Sequence, residues 1–216
     1  MKKQFIFNRL IRKIAATILV IAACTAFTIP NSSANWYAGM YKPDFTYTGI
    51  SAYIMTPSSF PTLSSGGEST WVSNYTSDGY WVQTGIRYYP GYAQFKAYVE
   101  HNLPSGYGID EYGIHGLNVT IPYRVQFEPS TTTGYKWYAY INGTNMGGYA
   151  LTQYANVQAA SEIHVSGTQM GPFEYSSVST RDSGTSWVSN NTPPFADSPY
   201  HVTIQGNYAS YTTYGP

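Results

Sequence analysis

Between Leu117 and Glu128 the side chains alternate with a period of two. Val119, Ile121, Tyr123, Val125 and Phe127 fall on one side; Thr120, Pro122, Arg124, Gln126 and Glu128 fall on the other. That period belongs to a half-buried strand. From Trp36 onward no stretch of useful length has helical spacing. Short β-rich runs are instead divided by Gly, Pro, Asn and Ser clusters. A chain patterned this way has one economical way to bury its apolar faces, an all-β sandwich of two antiparallel sheets.

Gly49 to Thr56 is the first clear strand, closed by Pro57. Trp71–Ser73 and Tyr80–Tyr88 flank the turn Ser77-Asp78-Gly79, a hairpin signal. Gln94 to His101 sets Phe95, Ala97 and Val99 against Gln94, Lys96, Tyr98 and Glu100. Leu103 to Gly116 carries five Gly/Pro residues and is expected to be a long loop. Pro122 suggests that its strand is an edge or carries a bulge. Lys136 to Asn142 ends in the turn Asn142-Gly143. Met170 to Asn191 is loop-like, with a strand at Glu174 to Ser179, and His201 to Ile204 is the last strong strand. No linker divides the region, so 35–216 is expected to be a single domain.

The first 34 residues have a different character. Lys2, Lys3, Arg9, Arg12 and Lys13 precede an apolar run from Ile14 to Ile29, then Pro30 and the small residues Ser32-Ser33-Ala34. That order is a signal peptide, cut after Ala34, and it points to a secreted protein. The apolar run is too short to favour a spanning helix. A lipid anchor on Cys24 is the rival; Ser32-x-Ala34 and the early start of the folded region at Trp36 favour simple secretion. Five of the eleven Lys/Arg lie in this leader, which leaves six against eleven acids and a net charge of −5. No basic patch is left for a nucleic-acid partner. Cys24 is the only cysteine, so the secreted chain has no disulfide and relies on its core, and it is expected to be a monomer. Few carboxylates have to be neutralised in acid, which suits acid tolerance.

The chemistry narrows by elimination. There is no Gly-x-Ser-x-Gly, no cysteine after the leader and no phosphate-binding glycine loop. His101, His115, His164 and His201 lack metal-ligand spacing, so neither a metal nor another cofactor is expected. Two carboxylates remain in mid-strand, Glu100 and Glu162. In Asn156 to Val165 the apolar side holds Val157, Ala159, Ser161, Ile163 and Val165, while Glu162 shares the other with Asn156, Gln158, Ala160 and His164. In Tyr80 to Ile86, Gln83 shares a face with Trp81. From the residues alone, a solvated Glu, a glycosidase pair and a sugar-stacking surface with Trp81, Tyr98, Trp137 and Tyr138 all stay open.

Six short motifs, in order, make the chain resemble the eqolisin family of glutamic peptidases. They are Asn35-Trp36-x-x-Gly39 with Ile50-Ser51-Ala52, Trp71-Val72, Gln83-Thr84-Gly85, Ala97-Tyr98-Val99-Glu100, Ala160-Ser161-Glu162-Ile163 and Pro194-Phe195-Ala196-Asp197. The resemblance implies a concanavalin A-like, jelly-roll type sandwich and an acid-active endopeptidase that forms no covalent intermediate. It implies Glu162 as general base and Gln83 as the amide that positions water and stabilises the oxyanion. It places Trp71, Glu100, Trp81 and His164 along a polypeptide substrate. The chain departs from the pattern at Asn74 to Gly79, at Val165-Ser166-Gly167, where the family often has another acid, and at His164. A proton on His164 is expected to favour the ionised form of Glu162. The alternatives are a lectin-like or polymer-binding sandwich without catalysis, and a two-carboxylate glycan hydrolase.

Overall fold

The computed structural model describes residues 36–63, 66–130, 134–164, 170–183 and 186–215. The expected leader, its cut after Ala34, Cys24 and Val165 lie outside them. Every regular element among the described residues is a strand. In chain order they are β1 (Trp36–Tyr47), β2 (Gly49–Met55), β3 (Glu68–Thr76), β4 (Trp81–Tyr88), β5 (Phe95–Leu103), β6 (Gly106–His115), β7 (Thr120–Ser130) and β8 (Gly134–Ile141). There follow β9 (Thr144–Tyr149), β10 (Ala155–Ile163), β11 (Phe173–Arg181), β12 (Trp187–Ser189), β13 (Phe195–Ala196), β14 (His201–Gln205) and β15 (Asn207–Tyr214). No helix among the described residues is long and apolar enough to cross a membrane.

The strands form two antiparallel sheets, the expected sandwich. The seven-stranded sheet runs β13-β1-β10-β3-β4-β5-β6, and the eight-stranded sheet runs β14-β15-β11-β2-β7-β8-β9, with β12 added beside β11. Between them lies a core that includes Ile54, Val72, Val82, Val99, Tyr123, Trp137, Val157 and Phe173, all fully buried. The turn expected at Asn142-Gly143 joins β8 to β9, with both residues at positive φ, 50° and 77°. That is the twist a two-residue hairpin needs.

Several expectations fail. β1 went unread because Lys42-Pro43-Asp44 interrupts its pattern, and its register against β10 shifts between Lys42 and Tyr47. The loop expected over Leu103 to Gly116 is instead β6. Its glycines serve the strand: Gly113, at φ 51°, sits where the β5–β6 register slips. Gly108 lies under the His101 ring, where a Cβ would come within 2.7 Å. Pro122 marks neither an edge nor a bulge, because β7 lies between β2 and β8. Its carbonyl accepts from Asn142 N at 2.9 Å, one residue beyond the last β7–β8 pair, Tyr123 with Ile141. Its missing N–H therefore faces a turn rather than a ladder. The segment after Met170 also holds more strand than expected, as β11 and β12, and the strand expected to be the last is followed by β15, with which it pairs.

Ser161, which alternation puts on the apolar side of β10, is tied inside the sandwich. Its hydroxyl reaches Thr70 Oγ1 at 3.0 Å, Tyr175 Oη at 3.1 Å and Thr213 Oγ1 at 2.7 Å. Nearby on β3 is Glu68, fully buried. Its Oε1 accepts from Gly171 N at 2.7 Å, and its Oε2 has no hydrogen-bond partner among the described residues. Burial holds this carboxyl well above the ordinary value of 4.5, against a smaller lowering by the Gly171 hydrogen bond.

A raised carboxyl helps the folded state below the unfolded value and loses that help as pH climbs toward the folded one. The chain is therefore expected to lose stability as pH rises from about 4.5, at about 1.4 kcal/mol per pH unit for this one group. Glu68→Gln, shaped like the protonated acid, should flatten that slope in urea titrations run at several pH values. An identical slope in both proteins would remove Glu68 as its source.

Candidate functional site

Opposed residues in an antiparallel ladder point to the same face, so the register alone says which side chains share the outer face of the seven-stranded sheet. Glu162 on β10 stands between Tyr37 on β1 and Ser69 on β3. Gln83 on β4 stands between Ser73 on β3 and Glu100 on β5. Ser69 and Ser73 are four apart on one strand, so Glu162, Gln83 and Glu100 all project from this face. Val82 and Thr84, the neighbours of Gln83, are fully buried on the other side.

Glu162 and Gln83 are diagonal to each other, two strands across and four residues along, or roughly 10 Å by 13 Å on sheet spacings. The row between them consists of Gly39, Ala160, Trp71, Gly85 and Tyr98. Three of the five are Gly or Ala, so Trp71 and Tyr98 form the floor. Both point outward by alternation, yet Trp71 is 3 % exposed and Tyr98 is 0 % exposed. Tyr37 and Ile109 pack against them, with the Tyr37 ring edge-on to Trp71 at 6.1 Å. What Trp71 can offer a ligand is little more than an edge.

Glu162 is 9 % exposed, and Tyr37 Oη donates to its Oε1 at 3.1 Å. Tyr37 is itself held from the far end of the chain. Its N–H donates to Asp197 Oδ2 at 3.0 Å, and Asp197 N donates to the Tyr37 carbonyl at 2.8 Å, just after β13 pairs with β1.

The Gln83 amide has two partners for its two hydrogens. Nε2 donates to Tyr98 Oη at 3.1 Å and to Glu100 Oε2 at 2.8 Å. Tyr107 Oη donates to the other Glu100 oxygen, Oε1, at 2.5 Å. Burial, then the carboxylates of Glu100 and Glu162, hold the Tyr98 hydroxyl well above the usual tyrosine range. Tyr98 thus keeps its proton and lies within the field of both acids.

Trp81 shares this face and meets Tyr107 edge-on at 6.4 Å; Tyr107 is 62 % exposed. His164 lies just past β10, its N–H bonded to the Gly67 carbonyl at 3.1 Å and its ring stacked on Tyr89 at 6.4 Å. Burial, and after it Arg87, lower its pKa, so its imidazole resists protonation. The expected effect of a His164 proton on Glu162 is weakened accordingly. Arg87 itself donates to Glu111 Oε1 at 2.8 Å and lies over the rings of Tyr89 and Tyr98, at 4.9 Å and 5.9 Å.

Among the described residues no group of three or more His, Cys, Asp or Glu could hold a metal ion. The sequence reading missed Tyr37, Tyr107 and Arg87 as members of this cluster. Tyr98 was half visible, since alternation places it on one face with Glu100. Tyr107 was lost inside the expected loop, and nothing local marks Tyr37 as the neighbour of Glu162.

No protein-family model matches the chain, and no curated protein matches it. Solved structures do. A crystal structure of Scytalido-glutamic peptidase with a peptide-based transition state analogue matches with TM-score 0.58 and 13 % identity, covering 84 % of this chain and 98 % of that one. SCP-B, a member of the Eqolisin family of peptidases in complex with the tripeptide Ala-Ile-His, matches with TM-score 0.54 and 13 % identity, again over 84 % and 98 %. An alginate lyase, Aly36B, in complex with an alginate trisaccharide, matches with TM-score 0.37 and 13 % identity over 83 % and 72 %. At such identities the first two similarities establish a shared fold, a two-sheet antiparallel sandwich.

Proposed function

We propose that this chain is an exported, acid-active endopeptidase that hydrolyses flexible polypeptides with Glu162 as general base and Gln83 as the amide that holds the reacting water and the oxyanion. The observation that carries the reading is the shared outer face. It presents one nearly covered carboxylate and one side-chain amide on either side of a Trp71–Tyr98 floor, and the field of both Glu162 and Glu100 reaches the Tyr98 hydroxyl. The fold shared with two peptidases, each solved with a peptide or a peptide-based analogue, supports it.

In this mechanism a peptide lies along the diagonal between the two residues, and both side chains have to reach inward across the roughly 10 Å by 13 Å between their backbone positions to meet one water. The Glu162 carboxylate takes a proton from water as the oxygen attacks the scissile carbonyl, and returns it to the leaving amine as the C–N bond breaks. The Gln83 amide suits its role because it offers an acceptor and donors without titrating. Its hydrogens are held by Tyr98 and Glu100 in this structure, so donation to the oxyanion requires the amide to leave one of them; such a donor strengthens as negative charge collects there. Tyr37 holds the base in place through Oε1. Trp81 and Tyr107 provide apolar contact for substrate side chains at the Gln83 end.

The same face also carries Trp81 and Tyr107 as rings able to stack on a sugar, which supports a glycan-acting or glycan-binding sandwich as the second reading, although Glu100 and Glu162, three strands across and four residues along, stand farther apart than the acid pair of a glycosidase. One experiment separates them. The purified secreted chain, incubated with a denatured protein between about pH 2 and about pH 7, is expected to release peptides in acid. Release of reducing sugar from acidic or neutral polysaccharides without peptide release would replace the peptidase with the glycan enzyme. Tight binding to either polymer with no product at any pH would leave a binding module.

A further inference from the structure

Arg87 stands at a corner between the two groups assigned to the reaction. Along β4 the outward positions are Trp81, Gln83, Gly85 and Arg87, so no side chain separates the Gln83 amide from Arg87. Across the strands, the row of Glu162 runs through Ser69 to Arg87 and then Lys96. On sheet spacings the Arg87 backbone is roughly 10 Å from that of Glu162 and roughly 13 Å from that of Gln83. It occupies the right angle of a triangle whose long side is the line of the peptide.

The guanidinium is fixed before any substrate arrives. Its carbon lies 4.9 Å from the centre of the Tyr89 ring and 5.9 Å from that of Tyr98, and Tyr89 is stacked in turn on His164. Nε donates to Glu111 Oε1 at 2.8 Å. Tyr92 Oη, which donates to the same oxygen at 2.9 Å, is the other polar neighbour. A guanidinium carries five N–H groups and keeps its charge at every working pH. Glu111 and Tyr92 engage at most two of the five, and no other acceptor meets them among the described residues. With both faces against rings and the side chain 15 % exposed, Arg87 offers a ligand the edge of its fork.

The structure assigns to Arg87 the recognition of a carboxylate on the peptide substrate, at one residue position beside the bond that is cut. This deepens the peptidase reading and rests on it for its consequence in activity. A planar fork pairs with a planar carboxylate through two parallel N–H···O bonds. Little freedom is lost on binding, because the side chain is already ordered. The rest of the face limits the preference to a single position. Glu162, Glu100 and Glu111 project from it as well, so a substrate carboxylate elsewhere along the floor meets like charge. Lys96, next in the row, lies over the Tyr92 ring at 5.8 Å and adds positive charge without a fork. The ligand is an acidic side chain or the terminal carboxylate of a short peptide, and the chemistry at Arg87 is the same for both.

The test uses matched peptides with an amidated C-terminus, in which one residue at a time around the scissile bond is either Gln or Glu. A further pair differs only in a free or amidated C-terminus. Gln and Glu differ in charge and hardly in shape, so their ratio isolates the carboxylate. At about pH 5 to 6, where a peptide Glu is ionised, kcat/KM should favour Glu at one position by about tenfold or more. Arg87→Gln should bring that ratio to about one, and Arg87→Lys, which keeps the charge and loses the fork, should leave an intermediate value. Each ratio is taken within one protein, so partial unfolding does not imitate the result. A preference shown by the free C-terminus alone identifies the terminal carboxylate as the ligand. Equal rates for every Glu and Gln pair and for both C-termini, or a preference that survives Arg87→Gln, overturn the proposal and leave the peptidase standing.

Binding keeps the two readings apart. The same peptides, fluorescently labelled, are titrated into Glu162→Gln protein with and without Arg87→Gln and followed by anisotropy. Tighter binding of a carboxylate-bearing peptide that Arg87→Gln abolishes, in a chain whose wild type cuts no peptide, keeps the carboxylate site and removes the function assigned to the face. Equal binding within every pair overturns the site whatever the activity.

Discussion

Exchanging Glu162 for glutamine is expected to lower kcat on a denatured protein by about 10³-fold or more, with KM little changed. The substitution keeps the shape of the side chain and an Oε1 that can accept from Tyr37, but it removes the only part of the group that can take a proton from water. Because glutamine fits the same nearly covered position, the thermal midpoint should stay within about 3 °C of the wild type. Kinetics and a melting curve on one preparation check both halves. A Glu162→Gln protein that digests substrate at the wild-type rate would sink Glu162 as the base. One that loses activity only because it no longer melts cooperatively would be a folding defect.

Gly85→Ala should produce the largest loss of stability. In the Gln83-Thr84-Gly85 segment the glycine lies against β3 so closely that a Cβ would come within 1.9 Å of the Thr70 carbonyl and 2.7 Å of the Trp71 Cα. Both obstacles are backbone, so no rotamer change relieves them. The strands would have to part in the middle of the seven-stranded sheet, beside the floor of the site. A cost of about 3 kcal/mol or more is expected for such overpacking, which for a chain of this length is a drop of about 10 °C in Tm. An unchanged midpoint would show that β3 and β4 do not approach this closely. The glycine is thus required by packing, whatever chemistry the glutamine two residues before it performs.

How much of this was legible in the sequence follows from how far each signal reaches. A period of two is local, and it gave the sandwich, the inward side of β7 and β10, and the pairing of Gln83 with Trp81 and of Tyr98 with Glu100 on common faces. It fails where a local break hides a strand, as at Lys42-Pro43-Asp44 in β1 and the glycines of β6. It is silent on which strands lie side by side. The order β1-β10-β3 brings residues 37, 162 and 69 into one row, and no local pattern contains that order. Resemblance to a family singled out Glu162 and Gln83, whereas the direction of the Gln83 amide hydrogens is visible only in the assembled site.

The clamp on β1 has a consequence for how the molecule comes to be made. Tyr37 touches Glu162 across 125 positions of chain and Asp197 across 160. Topologies dominated by such distant pairings form slowly, after the shorter loops have closed. A polypeptide that has emerged only as far as β9 holds Tyr37 on β1 but neither Glu162 nor Asp197, the two groups that it meets. The row that joins Tyr37, Glu162 and Ser69 can therefore close only after about three quarters of the chain has been made.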